Sequence, residues 1–308
     1  MLLAMFYLYL FIIFLLGALS PVQTSANSKA KEYLNSPIVS SLCSFIVGTA
    51  ALVLIVLITE HSLAIPAEKV AGLPWWAWAG GAAGAIGITA NILLFPKLGA
   101  MQTVLMPMLG QIITGFFVDS FGLFNSPVYP VSALRILGFI IVLIGIFYVV
   151  SHKGKHFRRK DTLVWQFFGI GAGAILAMQP AMNSGLSIAI GSSSHAALIS
   201  FTTGTFLLAI FAVAVKEHRE HIHLMFTVKR PLWTWIGGLI GVCMVIVQAA
   251  LVKEIGVGLL TILNIFGMLV CSVFIDHYGL LGAERRPVTL KKFCGLVLVL
   301  AGIILLNV

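Results

Sequence analysis

Long apolar runs, each about the length of a membrane-spanning helix, fill this chain from end to end. A helix needs about 20 mostly apolar residues to cross the hydrocarbon core of a bilayer. In the first half, such runs cover residues 6–28, 36–59, 75–95, 99–119 and 133–151. In the second half, they cover residues 163–188, 194–215, 233–252, 257–275 and 291–307. The runs predict an all-α integral membrane protein with ten transmembrane helices.

Charged side chains are scarce and lie between the runs. They make up 9% of the 308 residues, and hydrophobic residues make up 60%, whereas about a quarter of a soluble chain is charged. The alternating pattern of a transmembrane β-strand is not seen, and helices satisfy their own backbone hydrogen bonds in lipid. The net charge of +9 comes from basic residues at the ends of runs. This placement is typical of membrane topology, so no nucleic acid is expected as a partner.

Short motifs of the first half recur in the second. The matched segments are Gln23-x3-Asn27 with Gln179-x3-Asn183, Ser44-Phe45-x2-Gly48-Thr49 with Ser200-Phe201-x2-Gly204-Thr205, and Pro74-x-Trp76-x-Trp78 with Pro231-x-Trp233-x-Trp235. The offset is 156 residues for the first two pairs and 157 for the third. One change of offset over the whole length indicates a duplicated unit. We place the first five-helix repeat at residues 1–155 and the second at residues 156–308.

The number of helices per repeat predicts their relative orientation. Because five is odd, the second repeat begins on the side where the first ends, and equivalent helices run in opposite directions. The basic residues agree with this inverted arrangement. With ten spans, 16 of the 19 lysines and arginines fall on one side, and only Lys69, Arg135 and Lys253 fall on the other. Basic loops face the cytoplasm, so both termini are predicted to be external.

Several of the apolar runs contain short motifs with polar, aromatic or glycine residues. These motifs are Gln23-x3-Asn27, Trp75-Trp76-x-Trp78-x-Gly80-Gly81, Leu98-Gly99-Ala100, Gly110-Gln111 and Asp119-x-Phe121-Gly122. Together they resemble the YdcZ family of the drug/metabolite transporter superfamily, as a fused pair of five-helix units over nearly the full length. The resemblance implies export or exchange of small metabolites across the bacterial inner membrane, without naming a substrate. The second half departs from the pattern at Met268, which stands where a partner of Gln111 is expected.

Carboxamide side chains inside the runs are the candidate solute contacts. A polar side chain in lipid is costly and tends to face the bundle interior or a cavity. A spacing of four residues places the Gln and Asn of each repeated pair on one helix face. The predicted substrate pathway consists of Gln23, Asn27, Asn91, Gln111, Gln179, Asn183, Gln248 and Asn264. Amides donate and accept hydrogen bonds, which suits a polar solute that is neutral or zwitterionic. The alternative is that these amides join helices to one another.

Carboxylates are not found in the middle of any run. Asp119 and Asp276 close the fourth run of each half and are the candidate coupling residues. The alternative for both is a solvated helix end near the lipid headgroups. The four cysteines are scattered without ligand spacing, so we expect no metal and no cofactor.

Three classes of function remain open at this level. The first choice is a secondary transporter that works by alternating access as an exporter or exchanger, because an inverted duplication supplies two related gates around one site. A passive channel or facilitator is second, and a membrane-embedded enzyme or structural subunit is third. No cluster of catalytic side chains supports an enzyme. The expected partners are a small-molecule solute and the lipid bilayer, and a homodimer is left open.

Overall fold

The computed structural model describes residues 2–150, 162–280 and 289–306, and within these ranges it contains helices and no strands. The long helices are α1 (Leu2–Leu34), α2 (Pro37–Thr59), α3 (Gly80–Phe121), α4 (Ala133–Val150), α5 (Thr162–Ile190), α6 (Ser193–Ala214), α7 (Ile236–Ile255), α8 (Val257–Tyr278) and α9 (Leu290–Leu306). Short helical turns lie at Ala67–Val70, Trp75–Trp78, Leu123–Asn125, Lys216–Arg219, Leu224–Thr227 and Leu232–Trp235. The all-α prediction is confirmed for the described residues.

Several of these helices have the length and composition of membrane spans. The six that qualify on both counts are Ala4–Leu34, Pro37–Thr59, Leu163–Ile190, Ser193–Ala214, Leu232–Ile255 and Val257–Ile275. Ala133–Val149 is a shorter apolar helix. Many large apolar side chains on these helices are exposed on the outside of the bundle, which is the surface that a bilayer covers. The chain is therefore an integral membrane protein, while the number of spans stays a prediction.

Serine caps begin the second helix of each half. The Ser36 hydroxyl accepts a hydrogen bond from the Val39 amide at 3.2 Å, and the Ser192 hydroxyl accepts one from the His195 amide at 3.2 Å. Each cap satisfies one of the amides that a helix start leaves without an intrahelical partner. The end of α3 is set by Gly122, which adopts φ +62°. This is the left-handed region that favours glycine and stops a helix. Local sequence therefore sets these helix bounds.

The element α3, 42 residues from Gly80 to Phe121, folds back on itself. The rings of Trp76 and Phe124, which flank its two ends, have centroids only 5.3 Å apart. A Cβ added to Gly169 would lie 2.8 Å from Met106 Cβ and 3.4 Å from Leu94 Cδ1. In a straight helix, residues 94 and 106 would be about 18 Å apart. The predicted helices 75–95 and 99–119 thus correspond to two limbs, residues 80–94 and 106–121, of one element.

Equivalent helices of the two halves pack against each other in opposite directions. At one end of the α2–α6 pair, Ser36 Oγ lies 3.1 Å from His218 Nδ1, just beyond the end of α6. At the other end, the Ser192 hydroxyl donates to Glu60 Oε1 at 2.6 Å. The start of each helix therefore meets the end of its equivalent, so the two are antiparallel.

The last helix of each half forms a second such pair, α4 with α9. A Cβ on Gly138 would lie 2.9 Å from the Gly302 carbonyl oxygen, and a Cβ on Gly145 would lie 2.8 Å from the Gly295 carbonyl oxygen. Higher numbers in α4 meet lower numbers in α9, so this pair is antiparallel too. Glycines at such positions let helix backbones approach closely in a membrane. The predicted boundary between repeats, at residues 155 and 156, lies outside the described residues.

Candidate functional site

A cavity of about 290 Å³ lies between helices of both halves. Five of the eight predicted pathway residues line it: Gln23, Gln111, Gln179, Gln248 and Asn264. They come from α1, the second limb of α3, α5, α7 and α8. These side chains are far apart in the sequence, and helix packing alone brings them together. We call this space the carboxamide cavity.

Two glycines that follow the repeated Pro-x-Trp-x-Trp motifs, Gly84 and Gly241, make room for two of the glutamines. A Cβ on Gly84 would lie 2.8 Å from Gln179 Nε2, and a Cβ on Gly241 would lie 2.9 Å from Gln23 Nε2. Gln23 Nε2 also donates to the Gly237 carbonyl oxygen at 3.1 Å. Each glutamine therefore packs on the glycine face of a helix from the opposite half. The two contacts are equivalent under the sequence repeat, and they fix the side chains at the cavity wall.

The asparagines of the repeated pairs are placed differently from the glutamines. The Asn27 Oδ1 accepts a hydrogen bond from the Ser44 hydroxyl at 2.6 Å, between α1 and α2. Asn183 is 2% exposed, and a Cβ on Gly80 would overlap its Oδ1. Neither asparagine lines the carboxamide cavity. The hydrogen bond of Asn27 fits the alternative in which polar side chains join helices, whereas Asn183 is packed between helices and its Oδ1 has no hydrogen-bond partner among the described residues.

Two predicted site residues have side chains outside the described part of the structure. Asn91 lies on α3 and Asp276 lies on α8, but only their helical backbone is described. The structure therefore neither adds them to the cavity wall nor separates them from it. Both stay predictions from the sequence repeat.

Asp119 caps a helix that belongs to the other half. Its Oδ1 accepts a hydrogen bond from the Val257 amide and its Oδ2 accepts one from the Gly258 amide, both at 2.7 Å. These are the first amides of α8, where the helix dipole favours a negative charge. The carboxylate is 1% exposed, so it is not a solvated helix end. These contacts are those of a residue that caps a helix, and they do not by themselves indicate a coupling role.

Asp119 faces a second cavity, of about 410 Å³, that also contains Tyr129 and Arg135. The helix α8 lies between the two cavities. Its Leu259 and Ile262 line the second cavity, whereas Thr261 and Asn264 line the carboxamide cavity. The candidate coupling carboxylate of the first half is thus on the other side of α8 from the amides.

Arg135 is held by carbonyl groups and aromatic rings. Its Nη1 donates to the Tyr129 and Pro130 carbonyl oxygens, the latter at 3.2 Å. Its guanidinium carbon lies 5.4 Å from the centroid of the Tyr129 ring and 5.7 Å from that of Phe116, within range for a cation–π contact. Burial raises the pKa of the Tyr129 phenol, and the nearby Asp119 carboxylate raises it further. Sequence reasoning did not anticipate this cluster, although Arg135 was one of three basic residues on the predicted external side.

Two phenylalanines complete the wall of the carboxamide cavity. Phe45 on α2 and Phe201 on α6 both line it. Their ring centroids are 5.0 Å apart, with 33° between the ring planes. The sequence contained a signal for this pair, because both belong to the repeated Ser-Phe-x2-Gly-Thr motif. That motif was used to establish the repeat and was not assigned to the site.

Among the described residues, no group of three or more His, Cys, Asp or Glu side chains is close enough to hold a metal ion. The four cysteines are free thiols, with Cys43 buried and Cys243 exposed. The chemistry available at the carboxamide cavity is hydrogen bonding and apolar contact.

Comparison with known proteins identifies a matching family and solved structures of similar fold. A family model described as "Putative inner membrane exporter, YdcZ" matches residues 8–148 and matches again over residues 164–305. A solved structure described as "Crystal structure of protein" is similar over 97% of this chain and 94% of its own, with a TM-score of 0.67 and 13% sequence identity. At that identity the similarity shows the fold alone. No curated protein matches the chain.

Proposed function

Because the chain belongs to the YdcZ family of inner membrane exporters, with each half matching the family separately, we propose that this membrane transporter is a secondary carrier for a small polar metabolite. The observation that supports the proposal best is the carboxamide cavity, where five amides from both halves surround one space. A site at the interface of two repeats is the usual arrangement in carriers that work by alternating access. The family is described as one of exporters, which supports a transporter rather than an enzyme.

The proposed architecture is ten spans arranged as two inverted five-helix repeats. Three observations support it. The α2–α6 and α4–α9 pairs are antiparallel, the two limbs of α3 account for the third and fourth predicted spans, and the family match is divided between the halves. The distribution of basic residues then favours a cytoplasmic location for the loop that contains His218 and an external location for both termini.

The proposed mechanism is solute export or exchange without a coupling carboxylate in the binding cavity. Among the described residues that line the carboxamide cavity, none is acidic. Asp119 uses both of its oxygens to cap α8. Proton exchange through a carboxylate that also binds the solute is therefore not the favoured mechanism. A passive facilitator stays the second candidate, because a polar cavity alone does not distinguish a carrier from a channel.

Counterflow in proteoliposomes tests the proposal. The purified full-length chain is reconstituted into vesicles loaded with a metabolite extract, and the extract retained by vesicles is compared by mass spectrometry with that of protein-free vesicles. We expect a small set of metabolites to exit in a saturable way and to exchange against the same compounds outside. Flux that rises linearly with concentration and shows no counterflow would support the facilitator. Gln23→Ala serves as the matched control for protein that folds but lacks one amide of the cavity.

A further inference from the structure

The carboxamide cavity contains no charged side chain among the described residues that line it. Asp119 and Arg135 line the separate cavity beyond α8. A charged solute that enters a low-dielectric site loses its hydration, and that loss is very costly unless an opposite charge compensates it. The cavity supplies dipoles but no opposite charge, so its composition favours a solute without net charge.

Zwitterions are disfavoured by a second observation, at the start of α8. Transporters often bind the carboxylate of a zwitterion at the N-terminus of a helix, where free amides and the helix dipole favour negative charge. The start of α8 lies at the second cavity, which Gly258 lines, whereas Thr261 in the second turn lines the carboxamide cavity. The first two amides of α8, those of Val257 and Gly258, already donate to the Asp119 carboxylate. The start of α8 therefore offers no free amides to the carboxylate of a solute.

The hydrogen-bonding groups at the cavity include both donors and acceptors. Each of the five carboxamides has an N–H₂ and a C=O group. Pro180 adds an acceptor, because proline has no backbone N–H and leaves the carbonyl of Leu176, four residues earlier, without its helical donor. Both Leu176 and Pro180 line the cavity. A solute that fits here has several donors and acceptors of its own.

One side of the cavity is aromatic. The rings of Phe45 and Phe201 are inclined by 33° to each other and lie at the contact between α2 and α6. Phenylalanine rings make favourable contacts with the faces and edges of other flat rings. The volume of about 290 Å³ is at the small end of ligand pockets, which start at roughly 300 Å³. The solute is therefore expected to be small and to have a flat apolar face.

We propose that the carboxamide cavity binds an uncharged planar heterocycle of the nucleobase or nucleoside type, with its ring against Phe45 and Phe201 and its polar edge on the glutamines. This inference rests on the proposed transport function and narrows its substrate class. It separates neutral solutes from zwitterions, which the sequence left together.

Matched pairs of radiolabelled probes test this assignment in vesicles that contain the full-length chain. Uridine is compared with uridine 5′-monophosphate, nicotinamide is compared with 1-methylnicotinamide, and tyrosine represents a ring-bearing zwitterion. We expect saturable counterflow of uridine or nicotinamide at a rate at least tenfold above that of the charged partner. Gln111→Glu should lower this rate at least tenfold and allow 1-methylnicotinamide to enter. Gln111→Met, which copies the residue at the equivalent position 268, should lower the rate without admitting the cation.

The outcomes separate the substrate class from the function. Preferential exchange of the nucleotide, the cation or tyrosine would overturn the proposed class while leaving transport intact. Failure of both neutral probes would also overturn the class, and the extract counterflow described above would then decide whether the chain transports anything. If neutral exchange were unchanged in Gln111→Glu, the solute would not pass through this cavity.

Discussion

At the scale of single residues, an identical spacing leads to two different roles. Gln23 and Asn27 are four residues apart, and so are Gln179 and Asn183, so the sequence predicts that each pair shares a helix face. The structure places both glutamines at the carboxamide cavity and both asparagines at helix contacts. One turn of helix moves a side chain about 5.4 Å along the axis, which is enough to leave a small cavity.

Replacement of a glutamine and of its neighbouring asparagine should therefore give opposite results. Gln179→Ala removes an amide from the cavity wall, and we expect transport to fall at least tenfold with little change in the melting temperature. Asn27→Ala leaves the half-buried Ser44 hydroxyl without its acceptor, which costs about 0.5–1.5 kcal/mol. This variant should be less stable but transport normally per folded molecule. Thermal unfolding of the detergent-solubilised protein, combined with counterflow, measures both effects. Equal losses of transport in the two variants would contradict the distinction.

Asp119 gives a second prediction at this scale. Asp119→Ala leaves two amides at the start of α8 without their acceptor and removes a charge that the helix dipole favours, so we expect a loss of stability of about 2–4 kcal/mol. Asp119→Asn keeps one acceptor and should lose about half as much.

The control for a coupling role is solute exchange with and without an imposed pH gradient. If Asp119→Asn abolished gradient-driven transport but kept exchange at full rate, Asp119 would be a coupling residue and its capping role would be secondary.

The sequence predicted much of this site, and the shortfall has physical causes. Five of the eight predicted carboxamides line the carboxamide cavity, in keeping with the tendency of polar side chains in lipid to face the interior, and their role in a substrate pathway stays a prediction. The packing of Asn27 could not be anticipated, because it depends on the position of Ser44 on another helix. Phe45 and Phe201 were missed because their repeated Ser-Phe-x2-Gly-Thr motif was used only to establish the duplication, and a phenylalanine in an apolar run does not by itself indicate a binding site. The Tyr129–Arg135 cluster depends on how the loop before α4 folds over Phe116.

At the scale of elements, glycines determine how closely the helices pack. Gly110 on α3 faces α5, where a Cβ would overlap the Ile170 carbonyl oxygen, whereas a Cβ on Gly171 would meet nothing within 4 Å. The two glycines lie on helices that pack against each other, and nothing in the sequence distinguishes them. Only the structure distinguishes the glycine that permits contact from the one that does not.

The matched substitutions Gly110→Ala and Gly171→Ala test this difference. The first forces α3 and α5 apart and should destabilise the protein by about 1–3 kcal/mol. The second should be neutral or stabilising by up to about 1 kcal/mol, because alanine is the better helix former. Thermal unfolding of both variants checks the prediction. A Gly110→Ala protein as stable as Gly171→Ala would mean that the two helices are not in backbone contact.

The helices themselves were largely predictable from apolar runs. The sequence predicted two separate helices in α3, and the structure has two limbs there, but the sequence did not indicate the geometry of the reversal between residues 94 and 106. In the second half, Gly256 with φ +77° separates α7 from α8. Residue patterns identify apolar segments, whereas the geometry of a reversal depends on the helices that pack against both limbs.

At the scale of the whole molecule, the antiparallel α2–α6 pair has a polar contact at each of its two ends. The Ser36–His218 contact lies at one end and the Glu60–Ser192 contact lies at the other. A carrier with inverted repeats opens one end at a time around a central site. These two contacts are therefore the places where opening toward the cytoplasm and toward the outside is expected to occur.

Reporter fusions test the orientation of the whole chain. The predicted topology places His221 in the cytoplasm and Val308 outside, so a phosphatase fused at His221 should be inactive and one fused after Val308 should be active. Fusions of a cytoplasm-dependent reporter should give the reverse pattern. An active phosphatase at His221 would invert the orientation that the basic residues indicate.

Alternating access to the carboxamide cavity is tested most directly by thiol labelling of Thr261→Cys in a variant without the four native cysteines. A second cysteine pair, at positions 36 and 218 or at positions 60 and 192, is joined by a short bifunctional thiol reagent before labelling. With the first pair joined, a membrane-impermeant reagent should reach position 261 only from outside, and with the second pair joined only from the cytoplasmic side. If the same side gave access in both cases, or if both sides gave access together, the cavity would not alternate and the carrier mechanism would be contradicted.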